Sequence, residues 1–267
     1  YIPVAHWIWG GGWLAQRGVM DFAGGIVVHA TAGISALLFA REIGPRDGYP
    51  RELEPPHNPG MTMMGAGMLW VGWYGFNGGS ALAADTNAAM AITVTHISAS
   101  AAGIVWAGIE WVKFKRPSLM GAVTGVVAGL ATITPASGYV GPIGALVLGC
   151  LAGSVCFFAV QLVKQRLKID DSLDVFAVHG VGGIMGSLLV ALFASENLGG
   201  VGYPVTGSLG AQFGVQLLAV GATIVWTGVV TMGILIVTKA LVGLRAPEQF
   251  VQDGLDLSEH GERAHPA

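Results

Sequence analysis

Charge is what this sequence has least of. Only 11% of its 267 residues are Asp, Glu, Lys or Arg, against about 25% in an ordinary soluble domain, so a globule of this size would lack polar cover. Cysteine is nearly absent as well. Cys150 and Cys156 are the two, both in an apolar stretch, which argues against a disulfide framework or a thiolate metal site. Basic patches are missing and the formal charge is −3, which excludes a nucleic-acid binder. No secretory signal pattern stands at the N-terminus. The chain opens on Tyr1 and a half-formed apolar segment, from which a further N-terminal segment is expected. What is abundant is apolar: 53% hydrophobic residues, 42 glycines and a mean hydropathy of +0.63. Such a composition excludes intrinsic disorder. It points to an all-α, polytopic membrane helix bundle.

A spanning helix needs about 20 apolar residues, because hydrocarbon offers no partner to a backbone amide. Charge-free stretches therefore measure the spans. Residues 22–40 make the first, 55–84 contain the second and 86–109 the third. Residues 117–163 run without a charge for the length of two helices and break in the turn-forming cluster 134–144. Residues 175–195 make the sixth, and a seventh starts near Ala211 within 197–238. Of the thirteen Lys and Arg residues, all but Arg17 fall in alternate connections. By the positive-inside rule the C-terminus is cytoplasmic and the first residues are external. Residues 1–244 read as the membrane domain and 245–267 as a cytoplasmic tail. Small-residue pairs such as Gly121/Gly125 and Gly125/Gly129 read as close helix packing.

Polar groups at membrane depth are costly and usually functional. The first span and its approach read Asp21-Phe-Ala-Gly-Gly-Ile-Val-Val-His29-Ala-Thr-Ala-Gly33. The sixth reads Asp171-Ser-Leu-Asp174-Val-Phe-Ala-Val-His179-Gly-Val-Gly-Gly183. An Asp precedes Val-His by the same interval in both, a Gly follows four residues later, and the two spans run in opposite directions. That is the mark of an inverted repeat, with the site where the repeats meet. His29 and His179 are then expected to face each other near the midplane, although either alone reads equally well as a bonded core histidine. Metal binding ranks low, since two histidines do not complete a zinc site. Asp21 and Asp174 stand near helix starts, where a carboxylate can cap free amides. His96, without a repeat partner, reads as packing. Trp7, Trp9, Phe76 and Ser80 gather toward the external side, as an interfacial aromatic belt or as a vestibule suited to a small cation.

The segments His6–Gly12, Met20–His29, Gly75–Ala81, Lys115–Leu119, Asp174–Gly183 and Gly254–Glu262 resemble, in order and end to end, the ammonium transporters of the Amt/Mep/Rh superfamily, on the Amt branch. The resemblance implies an eleven-span fold of two inverted five-helix repeats plus one helix, with the first four helices absent from this chain. It implies that Trp9 and Ser80 recruit ammonium, that Phe76 gates the pore, and that His29 and His179 are the twin histidines of an apolar pore. It implies that Asp21 supports the recruitment site electrostatically. The family implies a homotrimer in the cell membrane, without a cofactor, contacted at its cytoplasmic face by a PII-type signalling protein. Gly78 and Tyr74 stand where alanine and phenylalanine are commoner. The rival readings are an ammonium sensor on the same scaffold, a Rh-type gas channel, and an intramembrane hydrolase. The hydrolase lacks a positioned Ser or Cys nucleophile with a paired base.

Overall fold

The computed structural model describes residues 1–51 and 56–263. Pro55, placed above at the start of the second charge-free stretch, and tail residues 264–267 lie outside the described residues. A short helix α1 (Ile2–Trp9) precedes seven longer ones: α2 (Gly25–Ile43), α3 (Pro59–Gly79), α4 (Thr86–Phe114), α5 (Leu119–Ile133), α6 (Pro142–Arg166), α7 (Phe176–Phe193) and α8 (Leu209–Leu241). Two short tail helices follow, α9 (Glu248–Asp253) and α10 (Leu255–His260). The seven long helices stand where the charge-free stretches put them. Five of them, α2, α4, α6, α7 and α8, are long and apolar enough to cross a membrane. The glycine- and methionine-rich α3 is less apolar, and α5 has only 15 residues before the turn at 134–140.

Polar residues start most of these helices. Side chains of Asn58, Asp85, Ser118 and Ser208 accept the amides of Met61, Ala88, Gly121 and Ala211 at the N-termini of α3, α4, α5 and α8. Each satisfies one of the donors a helix leaves free at its start. The α4 helix continues past the expected Ile109 to Phe114, carrying Glu110 and Lys113. The Lys113 ammonium lies over the rings of Phe114, Phe157 and Phe158, 5.4–5.8 Å from their centroids, so the charge is carried by aromatic faces at the helix end.

Small residues set the packing of α4, α5 and α6. A Cβ on Gly129 or Gly149 would lie 2.5 Å from the Ser98 carbonyl oxygen, and one on Gly153 would lie 2.6 Å from that of Ala102. The Ser98 hydroxyl donates to the Gly129 carbonyl at 2.9 Å across this contact. Backbones thus touch where side chains of ordinary size would hold them apart.

The inverted repeat is exact in its offset. Residues Thr31–Ile43 and Val181–Phe193 are 13-residue α-helical runs displaced by 150 positions, and each follows a π-helical turn containing its histidine. Gly33 lies against Gly180, while Gly183 lies against His29 and Ala30. Contacts in that reversed order mean that α2 and α7 cross in opposite directions. A Cβ on Gly33 would come within 2.2 Å of the Gly180 Cα.

The repeat also corrects one expectation. Asp21 does cap α2: its carboxylate accepts from the amides of Gly24, Ile26 and Val27 at 3.0–3.2 Å. At the start of α7 the cap is Asp171, whose Oδ2 accepts the Phe176 amide at 2.7 Å. Phe176 is the 150-position counterpart of Ile26. Asp174, expected to cap, has a left-handed backbone (φ 57°) and directs its carboxylate to the Lys164 ammonium at 2.7 Å. Burial raises the Asp174 pKa, and Lys164 opposes that rise.

On the α6–α7 side, the connection after α2 grips the one before α7. Arg46 donates through its backbone amide, Nε and Nη2 to the Asp170 carboxylate at 2.8–2.9 Å. Tyr49 donates to the carbonyls of Lys164 and Ile169 at 2.7 and 3.0 Å. Hydrogen bonding from the Arg46 side chain holds Asp170 below its usual carboxylate range.

Three outcomes are expected from thermal unfolding of the detergent-solubilised protein. Gly33→Ala forces two backbones apart and should cost about 1–3 kcal/mol, whereas Gly221→Ala, with nothing within 4 Å of the added carbon, should stay within about 0.5 kcal/mol. Asp171→Ala removes a cap and should cost about 1–2 kcal/mol; Asp174→Ala breaks only a partly exposed ion pair and should cost less. Because the folded state depresses Asp170, its contribution is present above the unfolded carboxyl value of 3.8 and is lost as pH falls through the lower folded value. Asp170→Asn should therefore lower stability at neutral pH and flatten the acid limb of the stability–pH curve.

Candidate functional site

The π-helical turns at Gly25–Ala30 and Phe176–Gly180 bring His29 and His179 together at the α2–α7 crossing. Their Nδ1 atoms are 3.1 Å apart and their ring centroids 5.0 Å apart. One Nδ1 must donate and the other accept, so the two rings share a proton along this edge. His29 is buried, and its Nε2 has no hydrogen-bond partner among the described residues.

Both rings line a cavity of about 450 Å³ whose other walls are Val28, Ala32, Leu69, Trp73, Phe76 and Val175. Apart from the imidazoles this wall is apolar. A bare cation placed there would give up hydration worth several kcal/mol without a compensating charge. A small neutral molecule meets no such penalty at these walls.

Trp73, not among the residues expected at this site, is part of it. Its ring stacks on His29 at 5.4 Å and on His179 at 6.4 Å, with interplanar angles of 19° and 17°. Its Nε1 donates to the Thr134 hydroxyl at 2.9 Å, which fixes the plane of the ring. The available signal was spacing, since Trp73 and Phe76 lie three apart on one face of α3. Phe76 stands 6.3 Å from His29 and 5.7 Å from Trp73, so the expected gate residue does border the histidine cavity.

The remaining expected residues split into two places. Trp9 meets Asp21: its Nε1 donates to the Asp21 carbonyl at 2.7 Å. Burial pushes the Asp21 carboxyl up to about 6, against the lowering effect of its backbone hydrogen bonds. Ser80 ends α3 one turn beyond Phe76, and its hydroxyl donates to the Phe76 carbonyl at 2.8 Å. No hydrogen bond joins Ser80 to Trp9 among the described residues. His96, on α4, is exposed and does not line this cavity. It bonds the Tyr74 hydroxyl at 2.7 Å and stacks on Trp70 at 5.4 Å.

The chain as a whole is similar to known proteins. Ammonium transporter Amt1 of Archaeoglobus fulgidus is 46% identical over 271 residues, covering 99% of this chain and 67% of that protein. An ammonium transporter of Aquifex aeolicus is 45% identical over 265 residues, covering 99% of this chain and 62% of that one. The chain thus spans roughly two thirds of the length of these relatives. Among solved structures, one described as a sensor Amt protein superimposes with a TM-score of 0.88 at 33% identity, over 96% of this chain and 65% of that one. The crystal structure of Saccharomyces cerevisiae Mep2 gives 0.84 at 36% identity, over 93% of this chain and 59% of that one. The model of the Ammonium Transporter Family matches residues 1–265, and the chain belongs to that family as a multi-pass membrane protein.

Proposed function

We propose that this chain forms the larger part of an ammonium transporter. The observation that carries the reading is the hydrogen-bonded pair His29–His179 in the wall of an apolar cavity. In this reading NH4+ is recruited externally at Trp9 and Ser80, with Asp21 supporting Trp9 from behind through its backbone carbonyl. The ion then gives up its proton, and neutral NH3 passes Phe76 and travels along the edge of the imidazole pair. The proton returns through the two histidines or crosses separately.

Desolvation supplies the selectivity. Ammonium escapes the cost of entering an apolar wall by becoming neutral, whereas K+ has no proton to lose and meets the full penalty. Asp174 serves as structural support, through Lys164 rather than through the helix start.

The reading extends to the whole protein. The membrane part is residues 1–244, with 245–267 a cytoplasmic tail in the cell membrane's multi-pass topology. The assembly is a homotrimer, and a PII-type signalling protein meets the cytoplasmic face. A second reading, an ammonium sensor, is favoured by the likeness to the structure described as a sensor Amt protein. In the sensor, occupation of the same entrance moves the tail in place of net transport.

Uptake of labelled methylammonium by transport-deficient cells carrying the full-length gene separates these readings. A transporter gives saturable uptake, and His29→Ala or His179→Ala is expected to reduce it by about tenfold or more or to admit K+. Uptake and selectivity unchanged in both variants would overturn the histidine role. Ammonium-dependent protection of the tail without uptake would favour the sensor.

A further inference from the structure

The segment before α2 is neither helix nor strand, yet it carries Asp21 and receives Trp9, so something else must hold its backbone. Phe22 and Ala23 donate their amides to the carbonyls of Pro135 and Thr134 at 3.0 and 3.3 Å, and Met20 is held by Gln216 on α8, a fully buried residue 196 positions away. Its Oε1 accepts the Met20 amide at 2.8 Å, and its Nε2 donates to the Met20 carbonyl at 2.8 Å. One side-chain amide thus satisfies both polar groups of one residue, as a neighbouring strand would. The second Nε2 hydrogen goes to the Ser187 carbonyl on α7 at 2.6 Å, and the second Oε1 lone pair to Gln212 Nε2 at 3.1 Å. All the hydrogen-bonding capacity of the amide is used, and only one orientation of the group allows it.

The next residue along is Asp21. Its carboxylate caps the turn that carries His29, and its carbonyl takes the Trp9 indole. Ser187, in turn, sits eight residues after His179 on the same helix. Gln212 extends the tie to the Gly18 carbonyl at 3.0 Å and to the Thr206 hydroxyl at 2.8 Å. One buried amide thus links α8 both to the segment before α2 and to the second histidine helix.

We propose that Gln216 is a positioning residue that sets Asp21, and through it Trp9 and the His29 turn, in register with the helix of His179. Its consequence for substrate rests on the transport reading above; its geometric content does not. Gln216 acts through the Met20 peptide and reaches no cavity wall itself.

The test uses the full-length protein with Gln216→Met, which keeps the length of the side chain and deletes the amide. Hydrogen exchange of the Gly24–Val27 amides is expected to quicken about tenfold, with α4, α5 and α6 unchanged. In cells, the methylammonium KM should rise about fivefold while the maximal rate per folded carrier is kept. Gln216→Asn, whose amide falls one methylene short, should move both readouts the same way and less, and it decides the matter if the Met variant does not fold. Unchanged exchange at Gly24–Val27 in a folded variant overturns the proposal. So does exchange that quickens uniformly through α4, α5 and α6 with a lowered maximal rate at constant KM, the pattern of a residue that only stabilises. Absence of uptake by the unmodified protein counts against the transport reading alone, and the exchange measurement still decides this one.

Discussion

The antiparallel crossing of α2 and α7 at Gly33, Gly180 and Gly183 is the constraint on which the rest of the structure depends. Backbones meet there at a distance that excludes any Cβ at Gly33. Two helices that approach this closely bring their histidines to hydrogen-bonding range and leave no room between them for a third element. The π-helical turns contribute as well. By widening the helix just where each histidine sits, they turn both imidazoles toward the shared edge.

Around that crossing the fold supplies two kinds of restraint. On one side, Arg46 and Tyr49 bind the connection before α7 to the connection after α2. On the other, Gln216 binds the entrance of α2 to α7 and α8. Between them lies a mainly apolar stretch, where Trp73 stacks on both rings and Gly183 of α7 lies against His29. Polar anchors thus sit at the ends, and an almost wholly apolar cavity lies between them. The imidazole pair is the polar feature of that cavity wall.

The two histidine helices are alike in sequence but are supported differently. Asp21 accepts three amides and its carbonyl takes an indole, whereas Asp171 accepts one amide and its neighbour Asp170 is tied to Arg46. The inverted repeat is therefore symmetric in its backbone and histidines but not in the groups that support them. The two histidines also differ in exposure, His29 being buried and His179 half-buried.

The sequence by itself determined the membrane character, the positions of the long helices and the pairing of the two histidine segments. Each follows from local chemistry: hydrocarbon excludes charge, so charge-free stretches mark the helices, and a repeated Asp…Val-His…Gly interval survives in linear order. The small-residue pairs on α5 were legible for the same reason. Tertiary structure alone decided which aspartate caps α7. Asp171 and Asp174 both stand before the helix, and only the left-handed turn at Asp174 sends its carboxylate to Lys164. It also decided that Trp73 stacks on the histidines and that Gln216 holds Met20, contacts between residues 44 or more positions apart. A hydrogen bond or a ring stack depends on distance and orientation in space, and no spacing along one helix encodes a partner on another.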